Sequence, residues 1–233
     1  MMLEHYNNLK IKNSYKKFLN EEFKKEYFVN LINEIKKSEK PVWPTENNWF
    51  KALTYCEIQN LKLIIIAQDP YYLPNVADGL AFSSQKEKTP KSLKNIKKEI
   101  LKDYPDAIFE TNSLHSWAKQ GVFLWNTIVT VEENKPLSHK NKGWEIFSAN
   151  LINYILDLNN NLVFLILGNN AKNFMVKYLN QTLLKKIKIL EYSHPAPLGY
   201  KKTNKAFFNS HCFSQINKLI APKFIDFSIR KEN

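Results

Sequence analysis

Short apolar runs rich in β-branched residues, spaced between amphipathic stretches, set the tightest limit on how this chain can fold. They are Leu61-Lys62-Leu63-Ile64-Ile65-Ile66 and residues 121–125, 161–167 and 187–192. A continuous apolar run of that length suits a strand buried on both faces, as strands of a parallel sheet are. Helical periodicity fills the intervals at 92–104, 144–158 and 171–179, with a last stretch near 204–220. Strands alternating with helices predict an α/β fold with a central, short parallel sheet of about four strands and helices on both faces. Ahead of the first run, residues 14 to about 37 carry Phe18, Leu19, Phe23, Tyr27, Phe28, Leu31, Ile32 and Ile35. That pattern reads as one helix with Ser14 as its N-cap, stopped by Pro41 and Pro44. Residues 46–56 read as a second, shorter helix. With no internal repeat, low-complexity tract or linker, the reading is a single domain over 1–233, its N-terminal helical extension (about 1–40) packed on it.

In such sheets ligands bind beyond the carboxyl ends of the strands. Polar segments fall there after the first, second and fourth runs: Gln68-Asp69-Pro70-Tyr71, Asn126-Thr127 and His194-Pro195-Ala196-Pro197-Leu198. Taken singly, each residue has an ordinary structural reading. Asp69 caps a turn, His194 is a satisfied structural histidine, Asn126 is a turn residue, and Phe82 and Leu198 are core. Taken together at neighbouring strand ends they offer a carboxylate, an imidazole donor, an amide able to read a base edge, and rings (Tyr71, Phe82) able to flank a planar ligand. Convergence is the argument for a base-binding pocket.

Composition narrows the partners and the compartment. Lysine and arginine number 34 against 22 acidic residues, a net charge of +12. That surplus suits a polyanion partner, but lysine bias also fills solvated helix faces, so charge decides nothing alone. The two cysteines, Cys56 and Cys212, cannot form a disulfide framework, a thiolate zinc site or a four-cysteine cluster. The opening MMLEHYNNLK holds no apolar run suited to a signal peptide, and the longest apolar stretch, 162–167, is far too short to span a membrane. A soluble, cytoplasmic protein without a membrane partner is the expectation.

The same residues resemble a known family. Ala67-Gln68-Asp69-Pro70-Tyr71 followed by Gly79-Leu80-Ala81-Phe82-Ser83 is similar to the water-activating loop of family 1 uracil-DNA glycosylases. Trp117-Ala118-Lys119-Gln120-Gly121-Val122, running into Leu124-Trp125-Asn126-Thr127, resembles its uracil-recognition strand. Pro90-x-Ser92-Leu93, Ser138-His139 with Gly143-Trp144-Glu145-x-Phe147, and His194-Pro195-x-Pro197-Leu198 with Phe207-Phe208 match in the same order. The resemblance implies hydrolysis of uracil from DNA, leaving an abasic site, with neither metal nor cofactor. It implies that Asp69 positions the attacking water and that His194, while neutral, hydrogen-bonds uracil O2. Asn126 would read the N3–H and O4 edge, Phe82 would stack on the flipped base, and Tyr71 would exclude the thymine methyl. The Gln68 backbone would add polar contacts, and Leu198 would fill the gap left by the flipped nucleotide. Ser92, Asn169 and Lys201 would touch DNA. The implied partners are uracil-containing DNA, single- or double-stranded, and a DNA-mimicking inhibitor protein; the chain would act as a monomer.

The chain also departs from the family pattern. Ala67 replaces a glycine, Tyr72-Leu73 stands for His-Gly, Asp78 stands for a histidine, and Ala196 and Gly199 stand for two serines that grip phosphate. The missing hydroxyls predict a weaker grip, compensated electrostatically by Lys201 and Lys202 with steep salt dependence. Two rivals stay open: a glycosylase of altered base specificity, because of the loop after Tyr71, and a catalytically weak DNA-binding scaffold or replication accessory protein of the same fold.

Overall fold

The computed structural model describes residues 9–201 and 204–231, so the extreme N-terminus and Lys202 lie outside the described residues. In chain order the elements begin α1 (Asn13–Glu22), α2 (Glu26–Lys36), β1 (Val42–Trp43), β2 (Leu63–Ala67), α3 (Lys91–Asp103), α4 (His115–Lys119) and β3 (Val122–Asn126). They continue β4 (Val131–Glu132), α5 (Trp144–Leu158), β5 (Val163–Leu167), α6 (Asn169–Tyr178), α7 (Gln181–Leu184), β6 (Lys188–Tyr192) and α8 (Cys212–Ile220).

Each apolar run is a strand of one four-stranded sheet, ordered β3-β2-β5-β6 and parallel throughout. β2, β3 and β5 are buried at every position, so both faces of the sheet are covered, whereas the edge strand β6 is half open. The register sets Ala67 beside Asn126 and Leu167 beside Tyr192. All four carboxyl ends therefore finish at one level, and the polar segments that follow them meet. Phe123 and Trp125 share one sheet face by the two-residue alternation. There Phe123 stacks on Tyr15 of α1, and the Trp125 indole N–H donates to Ser148 Oγ of α5 at 2.8 Å, which satisfies a polar atom that burial would otherwise penalise. A two-stranded antiparallel ribbon of β1 and β4 lies apart from this sheet.

Three helical expectations are corrected. Residues 14–37 form two helices, broken between Phe23 and Lys25. At about 100° per residue, the buried set Tyr15, Phe18, Leu19, Phe23 and the buried set Phe28, Leu31, Ile32, Ile35 would face opposite sides of one straight helix. The break turns both sets inward, where Phe23 stacks on Phe28 at 4.7 Å. Ser14 does not cap α1. Its Oγ accepts from Ile58 N, and the carboxylate of Glu57 caps the helix from a distant turn by accepting from Asn13 N and Ser14 N. Residues 46–56 hold separate 3-10 turns, Glu46–Asn48 and Lys51–Thr54, because Trp49, Phe50, Ala52 and Leu53 are all buried, more directions than one α-helical face presents. Finally, the last helix begins at Cys212 rather than near 204. Asn209 and His211 have φ of 57° and 50°, and Asp103 caps the helix by accepting from Ser214 N at 2.9 Å.

Candidate active site

A cavity of about 370 Å³ opens where β2, β3 and β5 end, lined by Gln68, Asp69, Tyr71, Phe82, Ser92, Asn126, Asn170 and His194 among others. That volume suits one small planar ligand. Of the residues read from the sequence, Leu198, Lys201 and Asn169 stand outside its wall.

Asn126 closes β3 at the sheet register, so its backbone is fixed by its parallel neighbour Ala67. The residue is 9% exposed, and its Oδ1 is buried without a hydrogen-bond partner. A buried amide oxygen left unpaired is costly, so the site is set up for a ligand that brings an N–H. Asp69 follows β2. Its Oδ2 accepts from Leu137 N at 3.0 Å, while burial raises its pKa above the ordinary 3.8 despite that bond.

His194 is oriented by its own loop. Ala196 N donates to Nδ1 at 3.0 Å, so Nδ1 must be the unprotonated nitrogen and the neutral ring carries its proton on Nε2. Burial lowers the pKa below the ordinary 6.5, which keeps the ring neutral. Its ring centre lies 5.9 Å from that of Phe82. Phe82 has a φ of 63°, a strained value for a bulky residue and common where a site is being shaped. The turn is braced from below. Asp78, 1% exposed, accepts from Leu80 N at 3.1 Å and from Ser83 Oγ at 2.5 Å, and the Tyr71 hydroxyl donates to Phe82 O at 3.3 Å. Burial, then the Asp78 charge, pushes the Tyr71 phenol well above its usual range, so it stays a neutral donor.

Comparison with known proteins bears on this arrangement. The family model for the uracil DNA glycosylase superfamily matches residues 53–221. The chain belongs to the uracil-DNA glycosylase superfamily. It is 42% identical over 212 residues to the uracil-DNA glycosylase of Mesomycoplasma hyopneumoniae, covering 90% of this chain and 94% of the relative. It is 43% identical to the enzyme of Borreliella burgdorferi over 213 residues, covering 88% and 92%. Among solved structures it resembles mimivirus uracil-DNA glycosylase with a TM-score of 0.82 at 25% identity, covering 97% and 93%. A variant of that viral protein, also at TM-score 0.82 and 26% identical over 94% of this chain and 89% of its own, was solved in complex with UGI.

Within this glycosylase fold several supporting residues escaped sequence reading. Asn95 and Glu99, one helical turn apart on α3, hold the 194–200 loop. Asn95 Nδ2 donates to Pro195 O at 2.8 Å, and the fully buried Glu99 accepts from the Tyr200 hydroxyl and from Asn209 N. Leu198 rides on this anchored loop and is 83% exposed. Gly168, φ 90°, lies against His194: a Cβ there would come within 2.8 Å of the His194 Cβ. Asn169 opens α6 and is exposed, whereas its neighbour Asn170 lines the cavity and donates through Nδ2 to Gln68 Oε1. The Gln68 carbonyl is already engaged by Ile128 N and Thr127 Oγ1. Tyr72 and Leu73 are 40% and 50% exposed at the rim, and the Ser138-His139 and Trp144 motif is structural. Trp144 Nε1 donates to Thr130 Oγ1, which pairs with His139 Nδ1, fixing the loop that presents Leu137 N to Asp69.

Proposed function

We propose that this chain flips uracil out of DNA and hydrolyses its N-glycosidic bond, leaving an abasic site. The observation that carries the reading is the buried, unpartnered Oδ1 of Asn126, a residue that lines a cavity of base size. Uracil offers an N3–H donor to that oxygen and an O4 acceptor to the amide nitrogen. Cytosine reverses both, and leaves like groups opposed at a desolvated position, which is how a hydrogen-bonding site discriminates strongly.

The base must leave the duplex to be reached, at a cost of a few kcal/mol. Leu198, apolar and exposed, takes the vacated space. Phe82 stacks on the base, and the Tyr71 ring crowds the C5 edge. As the C1′–N1 bond breaks, its electron pair goes to the base, and negative charge on O2 is met by the Nε2–H of neutral His194. Positive charge on the sugar is met by ionised Asp69, which also takes a proton from the water whose oxygen bonds to C1′. Groups fixed in advance toward developing charge are worth most in a dry site, and burial, which perturbs both pKa values, reports that dryness. Ser92 and the Gln68 main chain would contribute polar contacts; Asn170 is the better-placed partner than Asn169 near the cavity mouth. The reading extends to a cytoplasmic monomer open to a DNA-mimicking inhibitor on the same face. Among the described residues no helix is long and apolar enough to cross a membrane.

The test uses end-labelled oligonucleotides with one central uracil, or thymine as control, with and without EDTA, and alkali to cleave abasic sites. Scission at uracil alone, undiminished by EDTA, is expected. DNA binding with no scission would replace this reading with the scaffold.

A further inference from the structure

The DNA grip implied for two family serines is missing at Ala196 and Gly199, and the helix that anchors their loop carries a row of unclaimed cations. Asn95 and Glu99 of α3 touch the loop. At about 100° per residue, Lys91, Lys94 and Lys98 fall together along the flank beside that contact, all exposed and, among the described residues, in no ion pair. The helix's own carboxylates do not neutralise them. The Glu99 side chain is 0% exposed and pairs with Lys102, and the Asp103 side chain is 1% exposed and pairs with His211. Ser92, at the helix start, lines the cavity, so the row begins at the site itself. At its far end Lys102 and Lys201 lie over the Phe208 ring at 3.8 Å and 4.6 Å, which joins the helix flank to the wedge loop.

We propose that this flank of α3 is a phosphate track that holds the DNA strand beside the flipped nucleotide, with Lys91, Lys94 and Lys98 as its contacts. The inference rests on the glycosylase reading for its substrate. Lys91 to Lys98 spans about 10 Å at ~1.5 Å per residue, roughly three phosphate intervals at ~3.4 Å per strand, enough length for each of the three cations to meet its own phosphate. Charge, rather than the hydroxyl bonds lost at Ala196 and Gly199, then supplies the hold on the backbone.

The experiment is a salt titration of binding to a uracil-free duplex, read by fluorescence anisotropy, for wild type, for Lys91→Gln/Lys94→Gln/Lys98→Gln, and for Lys186→Gln/Lys188→Gln/Lys223→Gln. The second triple removes equal charge from a cavity at the opposite end of the sheet. Glutamine is as good a helix former as lysine, so the α3 triple should fold; the distal lysines lie in turns and at the exposed start of β6, where a polar side chain of similar length is tolerated, and Lys94→Gln alone serves as a milder variant. Each phosphate contact contributes about 0.9 to the slope of log K against log salt. The α3 triple should lose about 2 to 3 from the slope, Lys94→Gln about 1, and the distal triple nothing measurable. Equal slopes for wild type and the α3 triple overturn the track, as does an equal loss from the distal triple. Because no step needs excision, a wild type that excises uracil but fails this test sinks the track alone, whereas one that binds steeply and excises nothing sinks the glycosylase reading.

Discussion

Gly168→Ala perturbs His194 without touching Phe82 or Asn126, which would stack on the base and read its edge. Gly168 sits between β5 and α6 with its N–H donated to Tyr192 O at 2.8 Å, so it cannot retreat without breaking the register of the site. An added Cβ would lie 2.8 Å from the His194 Cβ, against the ~3.5 Å or more that carbon contacts tolerate. The imidazole must therefore move by roughly 0.7 Å, the difference between those separations. The φ of 90° adds about 1–2 kcal/mol of backbone strain for an L-residue. At ~2–4 °C per kcal/mol for a chain of this size, Tm should fall by about 2–8 °C. A misplacement near 1 Å costs on the order of 100-fold in rate, so kcat should drop about 10- to 100-fold. Single-turnover kinetics on a uracil duplex give the rate, free uracil inhibition gives the base affinity, and calorimetry gives Tm. Because Phe82 and Asn126 keep their places, uracil affinity should hold near wild type. A single-turnover rate within about two-fold of wild type, in a protein whose Tm has fallen, would show that the loop absorbs the clash elsewhere and that Gly168 does not set His194.

Four further outcomes follow from the same geometry. Asp69→Asn should cut turnover by about 10²–10⁴-fold, the usual worth of a general base, while uracil-DNA binding persists in anisotropy; undiminished turnover removes Asp69 from the mechanism. The same variant should also melt higher at neutral pH, because a folded pKa raised above 3.8 means that the ionised carboxylate opposes folding above that pH, a penalty that vanishes as it protonates; an unchanged Tm at pH 7 would contradict the burial. The pH profile of kcat/KM should show an acid limb, since ionised Asp69, its pKa raised by burial, and neutral His194, its pKa lowered by burial, are both lost on acidification; a kcat/KM that holds or rises as pH falls through the carboxylate range would contradict the use of ionised Asp69. Gly199→Ser, which restores a hydroxyl at the wedge, should lower kcat/KM rather than raise it, because its Cβ would approach His194 O to 2.7 Å; a gain in duplex affinity and rate would refute that close packing.

The sheet was legible because β2, β3 and β5 are buried on both faces and so are apolar along almost their whole length, a signal that needs no knowledge of partners. The helices were less legible where their ends depend on distant residues. Glu57 caps α1 and Asp103 caps α8 across the fold, and neither carboxylate is near in sequence to the helix it completes. The break between α1 and α2 was available in the pattern: the step from Phe23 to Phe28 shifts the apolar phase by about 140° at 100° per residue, more than one helical face allows. Residues 46–56 were apolar without a period, and a run buried on several sides defeats a reading built on one face.

The site divides in the same way. Three of the residues that would meet the ligand stand at strand ends, where topology gathers them, so Asp69, Asn126 and His194 could be singled out by order and spacing, whereas the stacking role of Phe82, in the loop before α3, was implied by the family resemblance. The residues that hold those groups in place are ordinary amino acids whose work is visible only as contacts: Leu137 through a backbone N–H, Asn95 through a carbonyl, Gly168 through the atom it lacks. None of these has a chemistry that sequence can flag. This is also why the departures read so differently once placed. Asp78, conspicuous as a carboxylate in a histidine's position, is a buried brace for the Phe82 turn. Gly199, which reads as a lost serine, is where the His194 carbonyl passes within 2.7 Å of any added carbon. A loop packed that tightly against the His194 backbone has no room for a hydroxyl grip at that position, so the hold on DNA must come from somewhere with reach. Lysine on an exposed helix flank has that reach, and under the proposed track the exposed cations of α3 supply the hold that no hydroxyl at Gly199 can give.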